Sequence, residues 1–170
     1  PAALAHLGDG PSYIDFAGWG TLKAGSFLAT ERQMMQDMAK KPAAQAGKAR
    51  LNLARFYLAH QFAAEALGLI NLVQATDPAL KGDTHLTALR AAADYMMGRY
   101  QDAHNEIAGP SFDGDRHAAL WRGLTEAALE NWKTAYSELE AAGPVLNRYP
   151  AEWQGRALIA QANAGLGMGR

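Results

Sequence analysis

The regular spacing of three small residues constrains the fold of this chain more than any other feature. Ala66, Ala103 and Ala135 lie 37 and 32 residues apart, each in a segment whose apolar residues recur at helical spacing. Repeat periods of about 20–50 residues are typical of stacked structural units. A lone helical hairpin cannot bury its apolar face, so each unit must pack against the next. The spacing therefore predicts an all-α protein of about three helix-turn-helix repeats, essentially without β-strands.

The composition excludes several classes of protein. Hydrophobic residues make up 49% of the 170 residues, which indicates a folded chain. Lys and Arg number 16 against 17 Asp and Glu, so the basic excess of a nucleic-acid-binding protein is missing. No apolar stretch reaches the roughly 18 residues of a membrane-spanning helix. The absence of Cys excludes thiolate chemistry but leaves the compartment open.

The beginning of the sequence differs from the rest. It starts at Pro1 without a Met or an apolar leader, so we interpret it as a piece of a longer protein. Residues 1–25 mix Gly and Pro with aromatic residues, which predicts an irregular arm that lies on the helical body. A first helix should follow, capped at Ser26 or Thr30 and ended by Pro42.

The first repeat has the clearest markers. A helix is expected from Pro42 to about His60, and a second from near Phe62 to Asp77. Two helices joined by about two residues pack antiparallel. The markers are Leu53, Ala54, Tyr57, Ala66 and Pro78.

This set of residues resembles the tetratricopeptide repeat, whose helices meet at small residues beside an aromatic wedge and a closing proline. Gln61 stands at the turn, where the family usually has Gly. The resemblance implies a right-handed α-solenoid whose concave groove holds a protein or peptide. The implied helical domain covers residues 26–170, with an N-terminal helix, repeats at about 43–80, 83–110 and 115–144, and a capping helix at about 150–165.

The second and third repeats are degenerate copies of the first. Residues 98–103, with the sequence GRYQDA, match the turn and second helix of the family. Gly109 and Pro110 end that second helix early. In the third repeat, Gly123 corresponds to Ala54 and Ala91 at the contact between helices.

The resemblance also implies which residues face the groove. The candidates are Lys48, Leu51, Arg55, Leu58, His85, Tyr95, Met96, His117, Leu120 and Leu124. Family members that clamp a terminal carboxylate use Lys, Asn and Arg at positions held here by Leu51, Arg55, Ala88, Ala92, His117 and Trp121, so that chemistry is not expected. The groove suits an apolar helix or strap, including the chain's own arm.

No residue pattern indicates catalysis, a cofactor or a metal. The five His residues form no His-x-x-x-His pair, and no phosphate-binding loop or nucleophile motif occurs. Residues 111–115 lack the Gly and Glu of a calcium loop and are interpreted as a turn that caps a helix. Most Met residues are interpreted as core, with Met96 as the exception.

The sequence therefore predicts a non-catalytic protein-interaction module that binds a peptide, a helix or a neighbouring domain. Two alternatives stay open. The chain is a structural or oligomerisation domain whose groove is filled by the arm or by another copy, or it is a helical accessory domain of an enzyme whose catalytic part lies outside these residues. Resemblance of fold alone does not separate them.

Overall fold

A computed structural model describes residues 10–77, 80 and 82–169. Within these residues the chain forms nine α-helices and no β-strand, which confirms the all-α prediction. The helices are α1 Phe16–Trp19, α2 Phe27–Ala39, α3 Ala43–Ala59, α4 Ala63–Thr76, α5 Thr84–Met96, α6 Tyr100–Ile107, α7 Arg116–Ala128, α8 Trp132–Ala142 and α9 Ala151–Gly167. None of them is long and apolar enough to cross a membrane.

The described residues fall into two compact units. Residues 15–77, 80, 82 and 83 form the α1–α4 unit, and residues 10–14 join residues 84–169 in the α5–α9 unit. Each of the three hairpins expected from the sequence lies within one unit: α3 with α4 in the first, and α5 with α6 and α7 with α8 in the second.

The α1–α4 unit packs α1, α2 and α4 against the central helix α3. Ser26 caps α2, because its Oγ accepts from the backbone N–H of Ala29 at 3.2 Å. The alternative cap, Thr30, instead accepts from the N–H of Ala24 at 3.1 Å. Of the predicted irregular arm, residues 1–9 lie outside the described residues, and residues 10–25 contain one helix, the four-residue α1.

Aromatic rings pack against one another where α2 meets α3 and the start of α4. Phe27 stacks on Phe56 at 5.1 Å and on Phe62 at 4.8 Å between ring centroids. Tyr57, the expected aromatic wedge, donates its hydroxyl proton to Glu31 at 2.7 Å and so ties α3 to α2. Burial raises the pKa of Tyr57, with the bond to Glu31 as the second cause, so the phenol stays protonated as a donor.

The α5–α9 unit packs its helices mostly against neighbours in sequence. Helix α7 contacts α5, α6, α8 and α9, and α8 also contacts α9. Helix α6 ends at Ile107, ahead of Gly109 and Pro110 as predicted. Asp115 caps α7 by accepting from the N–H groups of His117 at 2.8 Å and Ala118 at 3.1 Å, which confirms the predicted capping turn.

Each hairpin reverses through the same left-handed turn. The turn residues Gln61, Gly98 and Glu130 have φ values of 64°, 74° and 61°. In each turn, the N–H of the next residue donates to the carbonyl four positions before the turn residue, at 2.9 Å. This bond is typical of a helix C-terminus that ends in a left-handed residue. Gln61 therefore adopts the conformation that Gly adopts at Gly98.

A small residue seven positions before the turn lets the two helices of each hairpin approach closely. Ala54, Ala91 and Gly123 hold this position and are all buried. A Cβ atom on Gly123 would lie 2.6 Å from Leu139 Cγ and 3.0 Å from Leu139 N. The three alanines whose spacing defines the repeat are fully buried in the second helices.

An ion pair also recurs in the second and third hairpins. Arg90 on α5 lies 3.1 Å from Glu106 on α6, and Arg122 on α7 lies 3.1 Å from Glu138 on α8. In both hairpins the Arg stands eight residues before the turn and the Glu eight residues after it. The two hairpins of the α5–α9 unit therefore have the same ion pair at the same positions relative to the turn.

The turns give a first testable prediction. Glu130→Gly should raise the free energy of unfolding by about 0.5–1 kcal/mol, because Gly removes the steric cost of a Cβ in the left-handed region. Gly98→Ala in the same unit should lower it by about 1 kcal/mol. Urea denaturation followed by far-UV circular dichroism measures both, and shifts of the same sign would contradict the assigned turn geometry.

A second prediction concerns the closest contact between α7 and α8. Gly123→Ala should lower the free energy of unfolding by about 1–3 kcal/mol, because the backbone at Leu139 has to move. Gly155→Ala in α9 is the control, since its Cβ meets no atom within 4 Å, and it should be neutral or stabilising by up to about 1 kcal/mol. An unchanged denaturation midpoint for Gly123→Ala would show that the hairpin contact lies elsewhere.

Candidate interaction surface

The predicted groove residues of α3 have different surroundings. Leu58 is fully buried and belongs to the core. Arg55 is half-buried, with its guanidinium 5.3 Å from the ring centroid of Trp19 on α1. Burial lowers the pKa of Arg55, with Asp83 acting in the opposite direction. Lys48 and Leu51 line an open pocket of about 600 Å³ within the α1–α4 unit.

The predicted groove histidines contact the N-terminal segment of residues 10–14. His85 Nδ1 donates to the carbonyl of Pro11 at 2.9 Å. The ring of Tyr13 lies 4.8 Å from the ring of His117. These contacts place part of the predicted arm against the first turns of α5 and α7. At this end of the α5–α9 unit, the chain itself covers predicted groove residues.

His117 belongs to a buried aromatic cluster. Its Nδ1 lies 3.0 Å from the hydroxyl oxygen of Tyr149, and its side chain is 1% exposed. Burial raises the pKa of Tyr149, so the phenol is neutral and hydrogen-bonding rather than anionic. The guanidinium of Arg148 lies 4.7 Å from the centroid of the Tyr13 ring. The cluster therefore fixes residues 10–14 on the helices.

An open pocket of about 350 Å³ lies in the α5–α9 unit. We call it the Tyr95 pocket. It is lined by Tyr95, Leu124, Ala127, Ala128, Trp132, Arg156, Ile159, Ala160 and Asn163. Two of these, Tyr95 and Leu124, are predicted groove residues, and helices α7, α8 and α9 supply the others. The lining is mostly apolar, with one cation and one amide.

The polar groups of the Tyr95 pocket are held by packing. The Tyr95 ring meets Trp121 edge-on at 6.1 Å and Trp153 at 6.3 Å. Arg156 lies over the Trp153 ring at 4.7 Å and pairs with Glu152 at 2.7 Å. Burial raises the pKa of Tyr95, so its hydroxyl is a neutral donor and acceptor. The pocket can accept apolar side chains beside a few fixed polar groups.

The other predicted groove residues lie partly in the core, and two residues that line the Tyr95 pocket were not predicted. Leu120 and Leu124 are buried, and only Leu124 borders the Tyr95 pocket. Met96 follows Tyr95 in the sequence and is half-buried. Ile159 and Arg156 were not predicted, because the sequence indicates only a capping role for α9. The apolar pair Leu158–Ile159 on the outside of that helix was the available signal.

In the part of the chain that the structure describes, no three His, Asp or Glu side chains cluster as metal ligands would. The pairing of His104 with Glu126 at 2.6 Å links α6 to α7, and Asn131 donates to the same carboxylate at 2.8 Å. Comparison of the chain with protein-family models, curated proteins and solved structures gives no match. A functional proposal therefore rests on the geometry of the described residues.

The docking of residues 10–14 gives a third prediction. Tyr13→Ala should lower the free energy of unfolding by about 1–3 kcal/mol, because it removes a ring packed on His117 and Tyr149. Tyr13→Phe keeps that ring and should stay within about 0.5 kcal/mol of wild type. Urea denaturation followed by tryptophan fluorescence measures the difference. Equal midpoints for Ala and Phe would contradict a stabilising role for the packed ring of Tyr13.

Proposed function

We propose that this chain is a non-catalytic protein-interaction module built from tetratricopeptide-like hairpins, arranged in the α5–α9 unit as a right-handed solenoid. The repeated left-handed turn, the small contact residue and the Arg–Glu pair support the repeat interpretation. The partner we propose is a peptide or helix with apolar side chains.

The observation that carries the proposal is the Tyr95 pocket. Its lining comes from four different helices, which is how successive helices of a repeat protein form a binding surface. Ile159 is 65% exposed at its edge, while Tyr95, Trp132 and Arg156 are residue types enriched in interface cores. Such a surface gains free energy when an apolar side chain displaces water from it.

A second function is favoured by the contacts of residues 10–14. Their docking on His85 and His117 means that part of the implied groove is filled from within the chain. This supports the alternative of a structural domain at that end of the unit. The two functions involve different parts of the α5–α9 unit. The Tyr95 pocket is open, whereas residues 10–14 cover the end at His85 and His117.

The test of the interaction function uses a displayed library of random peptides selected on the purified protein. We expect selected peptides rich in apolar residues whose affinity falls at least about tenfold in Ala128→Glu. The carboxylate introduced there would have to lose water when an apolar side chain enters the pocket.

Ala108→Glu is the matched control, since Ala108 is also an exposed alanine at the end of a helix of the same unit but does not line the pocket. Its peptide affinity should equal that of wild type. Failure to select any peptide, or equal binding by the Ala128→Glu variant, would contradict the proposed function.

A further inference from the structure

Helix α9 ends in the same way as the first helix of each hairpin. Gly169 has φ of 75°, and its N–H donates to the carbonyl of Leu166 at 2.9 Å. The corresponding bond at Gly98 goes to Tyr95 at 3.0 Å. Helix α9 is therefore followed by a left-handed residue, as the first helix of each hairpin is, 39 residues after Glu130. Counted from this residue, α9 can be compared with α3, α5 and α7 position by position.

Among the residues that the structure describes, no helix covers one face of α9 in the way that α8 covers α7. Ala162 stands seven residues before Gly169, the position held by Ala54, Ala91 and Gly123 in the hairpins. Those three residues are buried under their second helices, whereas Ala162 is exposed. Leu158 and Leu166, one turn away on either side, are 57% and 72% exposed.

This face of α9 is less polar than the outer face of a helix that ends a repeat array. A helix that ends a repeat array needs a polar outer surface. Residues 157–169 contain no charged residue, and Leu158, Ala162 and Leu166 follow one another at intervals of four along a single ridge. Ala162 corresponds to Gly123, the small residue that α7 offers to α8, and Leu158 and Leu166 add an exposed apolar side chain on either side of it.

The second helices show which chemistry fits such a ridge. In all three hairpins, the fifth residue after the turn is Ala and the ninth is Ile or Leu. The pairs are Ala66 and Ile70, Ala103 and Ile107, and Ala135 and Leu139, and all six are buried. In the third hairpin, Leu139 lies directly against Gly123. An Ala-x-x-x-Ile/Leu helix is thus what this architecture places on a small contact residue.

We propose that the ridge of Leu158, Ala162 and Leu166 is a docking site for an amphipathic helix with the Ala-x-x-x-Ile/Leu pattern. Its large aliphatic residue lies over Ala162, as Leu139 lies over Gly123. Because the ridge residues Leu158, Ala162 and Leu166 carry no charge, they favour an apolar face on this helix. The left-handed residue Gly169 marks the end of α9 at which the docked helix begins. The ridge is separate in role from the Tyr95 pocket, which takes a partner on another side of α9.

The experiment presents such a helix to the ridge by extending the full chain. One protein carries a copy of Trp132–Ala142 directly after Arg170. A control extension has Glu in place of the two residues copied from Ala135 and Leu139. Hydrogen exchange of the α9 amides, read by mass spectrometry, should slow at least about tenfold in the first protein only.

Substitution at Ala162 makes the test specific for the contact. Ala162→Leu should leave the unextended protein as stable as wild type, because the side chain is exposed there. In the extended protein the same change should abolish the slowed exchange, because the added helix can no longer approach. Failure of the extension to slow exchange, or protection that survives Ala162→Leu, would overturn the proposal.

Sedimentation of the unextended protein tests the competing occupant, a second copy of the chain. The proposal expects a monomer whose sedimentation is unchanged by Leu166→Glu. A dimer that Leu166→Glu dissociates would overturn it, since the ridge would then be a self-association surface.

Discussion

The close approach of two helix backbones at a small residue is the constraint on which the hairpins depend. At Gly123 there is no room even for a methyl group beside Leu139. The left-handed turn seven residues later brings the second helix back to meet that position. In the second and third hairpins, the Arg and the Glu of the ion pair are the residues directly before the two contacting residues in sequence. Turn, contact and ion pair therefore form one geometric unit, and a change in any of them shifts the others.

Much of the secondary structure could be predicted because its signals are local. The cap at Ser26, the capping turn at Asp115 and the stop at Gly109 each depend on residues within one or two turns of the helix end. At Gln61 the sequence departs from the Gly of the tetratricopeptide pattern that it resembles, yet the left-handed turn still forms. The hydrogen bond from Phe62 to Tyr57 and the packing of the two helices hold a non-glycine residue in the left-handed region.

The candidate site was harder to predict because its contacts join residues that are distant in sequence. His85 is bound by Pro11, 74 residues earlier, and nothing in the periodicity of α5 indicates that partner. Leu58 and Leu120 carry the helical spacing of groove residues but are buried. Conversely, Ile159 contributes to the Tyr95 pocket through the packing of α9, which depends on the tertiary arrangement of the unit.

The distances along the chain divide into fixed and variable ones. The small contact residue always precedes the turn by seven positions and the aliphatic residue always follows it by nine, whereas successive turns are 37, 32 and 39 residues apart. The variation in spacing falls in the segments between hairpins, such as Pro110–Phe112 and Gly143–Arg148. A change of length between hairpins therefore leaves the contacts within each hairpin in register, whereas the same insertion inside a hairpin would shift the two contacting residues past each other.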